Sequence, residues 1–150
     1  MKLVSSAFAD GAAIPRRFAC DGENTSPPLL MVRCTRWNAE LRCCSATIPI
    51  HRPGTWHHWT AYDIPTTATE LAEEAARNAE MKQAVNDFGE TGFGGPCPPH
   101  GHGPHHYHFR PLALSTDQLW ARPNASCRDV EREARKFTLA EALLVGWYER

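Results

Sequence analysis

No stretch of the chain is apolar and unbroken enough to cross a bilayer, and the opening MKLVSSAFADGAAIPRRF lacks the apolar run of a secretory leader. Neither a transmembrane segment nor an export signal is expected, and the reading is cytoplasmic. An excess of one charge is also missing. With 16 basic against 17 acidic residues the formal net charge is -1, which supplies no electrostatic attraction for nucleic acid. There is no CxxC pair of the kind that holds zinc and no GxSxG elbow of a serine hydrolase, and no cofactor is expected. The six cysteines, without an export signal, read as reduced thiols rather than a disulfide framework, and adjacent Cys43 and Cys44 are poorly placed to pair with each other.

What is present fits one globular domain of 150 residues, large enough to bury a single core. Before residue 70 the chain is cut by Asp10-Gly11, Pro15, Asp21-Gly22, Pro27-Pro28, Pro49, Pro53-Gly54 and Pro65, punctuation that favours short strands. Trp56 to Tyr62 reads as a strand whose period of two puts Trp56, His58, Thr60 and Tyr62 on one face and His57 and Trp59 on the other. Trp59 is a candidate core residue. Ala72 to Val85 holds strong helix formers and no Gly or Pro, so propensity predicts an exposed helix. The Gly/Pro-dense run from Gly89 to Pro99 is incompatible with regular structure and shapes a site or its rim. His105 to Leu114 reads as a strand with His105, Tyr107 and Phe109 on one face. Ser126 with Asp129, and Thr138 with Glu141, have capping-box spacing, predicting short helices over Cys127 to Arg135 and Leu139 to Leu144. Trp147 and Tyr148 form a last strand or pack the chain end onto the core. No internal repeat is present.

All eight histidines except His51 fall at His57 and His58 or at His100, His102, His105, His106 and His108. Three readings compete. His100, His102, His106 and His108 are surface residues in the plain reading. HGHGPHHYH is a metal tract in the second, although its spacing is not specific to any ion. In the third, His58, His105 and Tyr107 line a pocket with hydrogen-bond donors suited to phosphate or carboxylate, and this is preferred for those three. A Cys/His hydrolase built on Cys97 and His105 is the rival from another class, but a cysteine between prolines cannot sit at an activating helix start.

Several motifs in order carry a family resemblance. Asp10-Gly11 through Phe18, followed by Asp21-Gly22-Glu23-Asn24-Thr25-Ser26-Pro27-Pro28-Leu29, resembles the opening of the phosphatidylethanolamine-binding protein family. Gly54 to Trp59 with Tyr62 to Pro65 is similar to its histidine strand. Asn86 to Gly89 and Gly92 to Pro99 are similar to its long loop. His105 to Phe109 resembles its His-Arg-Tyr strand, with His106 in the arginine's place. Leu139 to Ala142 and Val145 to Tyr148 fit the shorter bacterial, Raf-kinase-inhibitor-like branch. The resemblance implies a mainly β fold, an antiparallel Greek-key β-sandwich with short C-terminal helices, and an irregular excursion where propensity predicts the Ala72 to Val85 helix. It also implies a binding protein rather than an enzyme. The pocket would be lined by His58, His105, Tyr107 and Trp56, walled by Gly95, Pro96 and Cys97, and would take a small anion, a phosphorylated group or a phospholipid headgroup. Regulation of a kinase or protease partner and a homodimer belong to the same implication, and no metal does.

Between Leu30 and Pro53 the resemblance fails although both flanks fit. The family's SWSG-P strand and Asp-Pro-Asp-x-Pro turn are replaced by LMVRCTRWNAELRCCSATIPIHRP, which has no aspartate. Codons can be chosen for Met31 to Cys43 that read, one base later, as WSGAPAGTRSFA, and for Ala46 to Arg52 that read in the remaining register as DHPDPP. The expectation is that residues 31–52 reflect compensating frameshifts. A segment carrying Arg33, Arg36, Glu40 and Arg42 in place of an apolar strand should order poorly, because burying such groups unpaired is costly.

Overall fold

The computed structural model describes residues 1–32, 55–65, 67–77 and 81–150, and the backbone alone of Leu41–Pro49. Arg33, Arg36, Glu40 and the side chain of Arg42 lie outside the described residues. Ten strands are described: β1 (Lys2–Val4), β2 (Ala12–Ala13), β3 (Leu29–Val32), β4 (Leu41–Pro49), β5 (Thr55–Tyr62), β6 (Glu70–Leu71), β7 (Lys82–Gln83), β8 (His105–Leu114), β9 (Thr138–Glu141) and β10 (Leu144–Tyr148). One α-helix, α1 (Cys127–Arg135), accompanies them. The protein is thus mainly β with a single short helix among the described residues.

The strands form a small sheet in the order β1-β3-β6 and a large one in the order β2-β10-β8-β4-β5-β7, with β9 pairing the far end of β8. Described pairs are antiparallel except β2 with β10, which run parallel, a departure from the all-antiparallel expectation. One core cluster draws Leu3, Leu29, Met31 and Leu71 from the small sheet and Trp59, Ala61, Tyr107, Phe109 and Leu144 from the large one. A second places Val130 and Ala134 of α1 against Tyr62, Leu112 and Leu114, so the helix covers the opposite face of the large sheet. Burial of each large apolar side chain here contributes roughly 1.5–3 kcal/mol. Along β8, Tyr107 and Phe109 serve the first cluster and Leu112 and Leu114 the second, while His106, His108 and Arg110 alternate with the first pair on a more exposed face. The stretch expected to order poorly supplies β4, whose backbone pairs with β5 on one side and β8 on the other.

Three local expectations change. No helix spans Ala72 to Val85: that stretch holds a single 3-10 turn (Ala75–Arg77) and β7, while residues 78–80 lie outside the described residues. Tertiary partners override the propensity, since Ser26 Oγ accepts from the Ala76 amide and Gln83 Nε2 donates to the Ala76 carbonyl. The helix expected over Leu139 to Leu144 is instead β9 and the start of β10. Thr138 Oγ1 donates to the Ala134 carbonyl, closing α1 rather than capping a new helix. By contrast Ser126 does cap α1, its Oγ accepting from the Asp129 amide at 3.2 Å. Finally, strict alternation fails in β5. Ala46 faces Trp59 while Thr47 faces His57, so His58 is the extra residue of a β-bulge. The bulge turns His58 to the side of Trp59, against Tyr107, and leaves His57 facing α1.

Candidate functional site

His58 is buried, 3% exposed, and its ring is held by the glycine loop. Nδ1 lies 2.7 Å from the Gly94 carbonyl oxygen and 3.1 Å from that of Gly95. Carbonyls only accept, so Nδ1 carries the proton and Nε2 presents a lone pair. That Nε2 is buried with no hydrogen-bond partner. Burial lowers the His58 pKa to about 4, outweighing the two carbonyls, so the ring is neutral at physiological pH.

Tyr107 of β8 packs edge-on to His58, ring centres 5.3 Å apart. Its hydroxyl is buried and lies by the Cys97 backbone without completing a well-formed hydrogen bond. Burial pushes its pKa up, so it remains a neutral donor. Two adjacent rings therefore carry two unsatisfied polar tips, an acceptor and a donor, in apolar surroundings. A buried polar group left unpaired costs about 1–3 kcal/mol, which calls for a physical explanation.

Phe88 completes the setting. Its ring stands 5.1 Å from His58 and 5.5 Å from Trp56, and Phe88 (43% exposed) and Trp56 (37%) form an apolar rim. The turn that presents Phe88 is built by Asn86, whose Oδ1 accepts from the amides of Phe88 and Glu90.

The wall is fastened at several points. The Gly94 amide donates to the His58 carbonyl, the Gly95 amide to Asn24 Oδ1 at 2.7 Å, and the Cys20 amide to the Pro96 carbonyl. Only glycine fits at 95, because a Cβ there would run into the Phe18 carbonyl oxygen. Cys97 is joined to Cys20 in a disulfide, which corrects the reading of these two as reduced thiols. Cys127 is free and buried, and burial raises its thiol pKa to about 11. Arg150 donates from Nε to the Pro98 carbonyl, and its Nη1 lies 3.6 Å from Cys20 Sγ.

On the opposite face His57, 4% exposed, lies between two carboxylates. Nδ1 is 3.3 Å from Asp87 Oδ2 and Nε2 is 3.1 Å from Glu131 Oε2. Burial works against charging the ring, but Glu131 and then Asp87 raise its pKa overall. Both ring nitrogens face acceptors, which suits the doubly protonated form. Its partner Glu131 is held below the usual carboxylate range by that hydrogen bond.

Of the residues singled out in the sequence, the structure gathers His58, Tyr107, Gly95, Pro96 and Cys97 at one place, with Trp56 at the rim through Phe88. His105 stands apart. It is half-buried two residues along β8 from Tyr107, and its ring neighbour is His102 at 6.3 Å. His100, His102 and His106 are exposed and His108 half-buried. No group of three or more His, Cys, Asp or Glu side chains among the described residues is placed to hold a metal ion. Sequence reasoning missed Phe88, Asn24, Cys20 and Arg150. The Asn-Asp-Phe-Gly turn signal was legible for Phe88, whereas nothing local marks Arg150.

The phosphatidylethanolamine-binding protein family model matches residues 4–149. A UPF0098 protein of Aquifex aeolicus is 39% identical over 155 residues, covering 100% of this chain and 89% of that protein. A UPF0098 protein of Pyrococcus horikoshii is 37% identical, covering 98% and 76%. Among solved structures, Escherichia coli YbcL, described as a new member of the mammalian PEBP family, superposes with a TM-score of 0.89 at 31% identity, covering 99% of this chain and 98% of that one. A PEBP homologue of Chlamydia trachomatis gives a TM-score of 0.84 at 30% identity, covering 99% and 97%.

Proposed function

Given that the chain belongs to the phosphatidylethanolamine-binding protein family, we propose that it binds a small phosphate-bearing ligand at His58 and Tyr107 and is not an enzyme. The observation that carries this reading is the pair of buried, unsatisfied polar tips, His58 Nε2 and Tyr107 Oη, on adjacent rings. A neutral His58 offers an acceptor and Tyr107 a donor, so the matching ligand has one hydroxyl and one anionic oxygen. A singly protonated phosphate group has both, while an ionised carboxylate lacks the donor. Phosphate is therefore preferred to carboxylate, which sharpens the anion class inferred from sequence. Free phosphate or any phosphomonoester offers that group, whereas a phosphodiester headgroup is fully ionised and lacks the hydroxyl.

This assignment puts the pH dependence on the ligand, although the sequence casts His58 as a hydrogen-bond donor. With His58 ionising only near 4, the shared proton arrives with the ligand. Affinity for a phosphomonoester should fall about tenfold per pH unit above the ligand's second pKa of about 6. Calorimetry with inorganic phosphate, phosphorylethanolamine and acetate across pH tests this: phosphates should bind and acetate should not. Absence of heat with millimolar phosphate in a folded sample would defeat the proposal.

Nucleophilic chemistry at Cys97 would need a free sulfur, and that sulfur is bonded to Cys20. Two sheets sharing one core support the Greek-key β-sandwich reading of the scaffold. Kinase or protease regulation, a homodimer and a cytoplasmic location rest on the family likeness and the sequence alone. No helix among the described residues is long and apolar enough to cross a membrane.

A further inference from the structure

The Cys20–Cys97 bridge lies where a change of oxidation state reaches the pocket. It ties the loop after Phe18 to the wall that holds His58, across 77 residues of sequence. Both cysteines are half-buried, whereas Cys127 is fully buried and inert by comparison. Arg150 sets its guanidinium 3.6 Å from Cys20 Sγ and has no such contact with Cys97 Sγ among the described hydrogen bonds. A guanidinium beside a sulfur favours its thiolate, and the sulfur better able to carry negative charge is the better leaving group in exchange. The wall keeps the bond its Gly95 amide donates to Asn24 Oδ1 and those its Pro96 and Pro98 carbonyls accept from the Cys20 amide and Arg150, so opening the bridge loosens the loop without freeing it.

We propose that Cys20–Cys97 is a reversible exchange site for low-molecular-weight thiols, with Cys97 accepting the incoming thiol and Cys20 released, and that its state sets the rigidity of the pocket wall. In the first step a thiolate RS⁻ forms a bond to Cys97 Sγ while the Cys97–Cys20 bond breaks, and the electron pair leaves on Cys20 Sγ beside Arg150. In the second, another RS⁻ attacks the mixed disulfide, forms RSSR and releases the Cys97 thiolate. The protein thiolates take up the two protons given up by the two thiols. Two RSH are oxidised and one protein disulfide is reduced. The effect on ligand affinity rests on the proposed phosphate site, but the exchange chemistry does not.

The oxidised protein is treated with glutathione, quenched with acid, alkylated and mapped by mass spectrometry. The glutathione adduct should sit on Cys97, with Cys20 alkylated, at several-fold excess over the reverse. Arg150→Gln should abolish that preference and slow the reaction. Equal labelling of both sulfurs, no reaction without denaturant, or an unchanged preference in Arg150→Gln would overturn the exchange assignment. For the wall, amide hydrogen exchange at Gly94 and Gly95 should quicken at least tenfold on reduction, and unchanged rates would overturn the coupling. Calorimetry with phosphate then separates the two readings. Binding that is several-fold weaker after reduction supports both, and equal binding in both states overturns control of the pocket. If neither state binds, the phosphate site fails, and the wall coupling is decided by the glycine exchange rates alone.

Discussion

Lowering the pH from 6.5 to about 4 should remove about 3 kcal/mol of stability through His58 alone. The folded ring ionises near 4 because burial opposes its charge, while the unfolded ring ionises at 6.5. Below 6.5 the unfolded chain takes up a proton that the folded chain refuses, so stability falls progressively down to the folded pKa. A shift of 2.5 units at 1.36 kcal/mol per unit gives a loss of roughly 3 kcal/mol. With the side chain almost fully enclosed, no discount for solvent screening applies. Urea denaturation at both pH values, on the wild type and on His58→Gln, isolates the effect. The acidic groups that also titrate, Glu131 among them, are common to both proteins and cancel in the difference. The wild type should lose about 3 kcal/mol more than the variant over this range. An equal loss in both proteins would refute the buried neutral imidazole and the orphaned Nε2 with it.

His57 acts in the other direction. Its pKa is raised, so its contribution is complete below 6.5 and disappears as pH rises through the folded value, a slope that His57→Gln should abolish in thermal melts above neutrality. Tyr107→Phe should leave stability unchanged or raised, because it deletes a poorly paired buried hydroxyl, yet weaken phosphate binding about tenfold; lost stability with unchanged affinity would speak for a purely structural hydroxyl. Trp59→Ala should cost about 3 to 5 kcal/mol, since the ring is fully buried and its Nε1 donates to Gln83. Resequencing the gene should reveal compensating shifts of frame around codons 31–52, and a clean single-frame reading without indels relative to close relatives would end that hypothesis.

The strand TWHHWTAY, rich in β-branched and aromatic residues, was legible because pairing and propensity agree there, and HHYHFRPLAL was legible from the alternation of Tyr107 and Phe109 with polar neighbours. So was α1, whose Ser126 cap and buried positions at Cys127, Val130 and Ala134 follow local rules. What escaped was set by distant partners. The alanine-rich stretch from Ala72 is held by Ser26 and Gln83 rather than by its own helix bonds. Thr138 serves the helix before it, and the bulge at His58 is visible only in register with β4. The site followed the same division. His58, Tyr107 and the glycine wall stood in recognisable motifs, but the Cys20–Cys97 link and Arg150 join chain segments 52 to 130 residues apart, which spacing alone cannot pair. An apolar replacement of His58 is costly for stability as well as binding, since the Gly94 and Gly95 carbonyls would lose their shared donor.

The most direct test follows the His58 ring itself by nuclear magnetic resonance while inorganic phosphate is added at about pH 6. In free protein the spectrum should show a neutral imidazole protonated at Nδ1, as its contacts with Gly94 and Gly95 require. Phosphate should shift Nε2 and the Tyr107 ring together, with saturation, as the two unsatisfied tips gain a common partner. A folded protein in which saturating phosphate leaves both rings unmoved would contradict the assignment of this pocket.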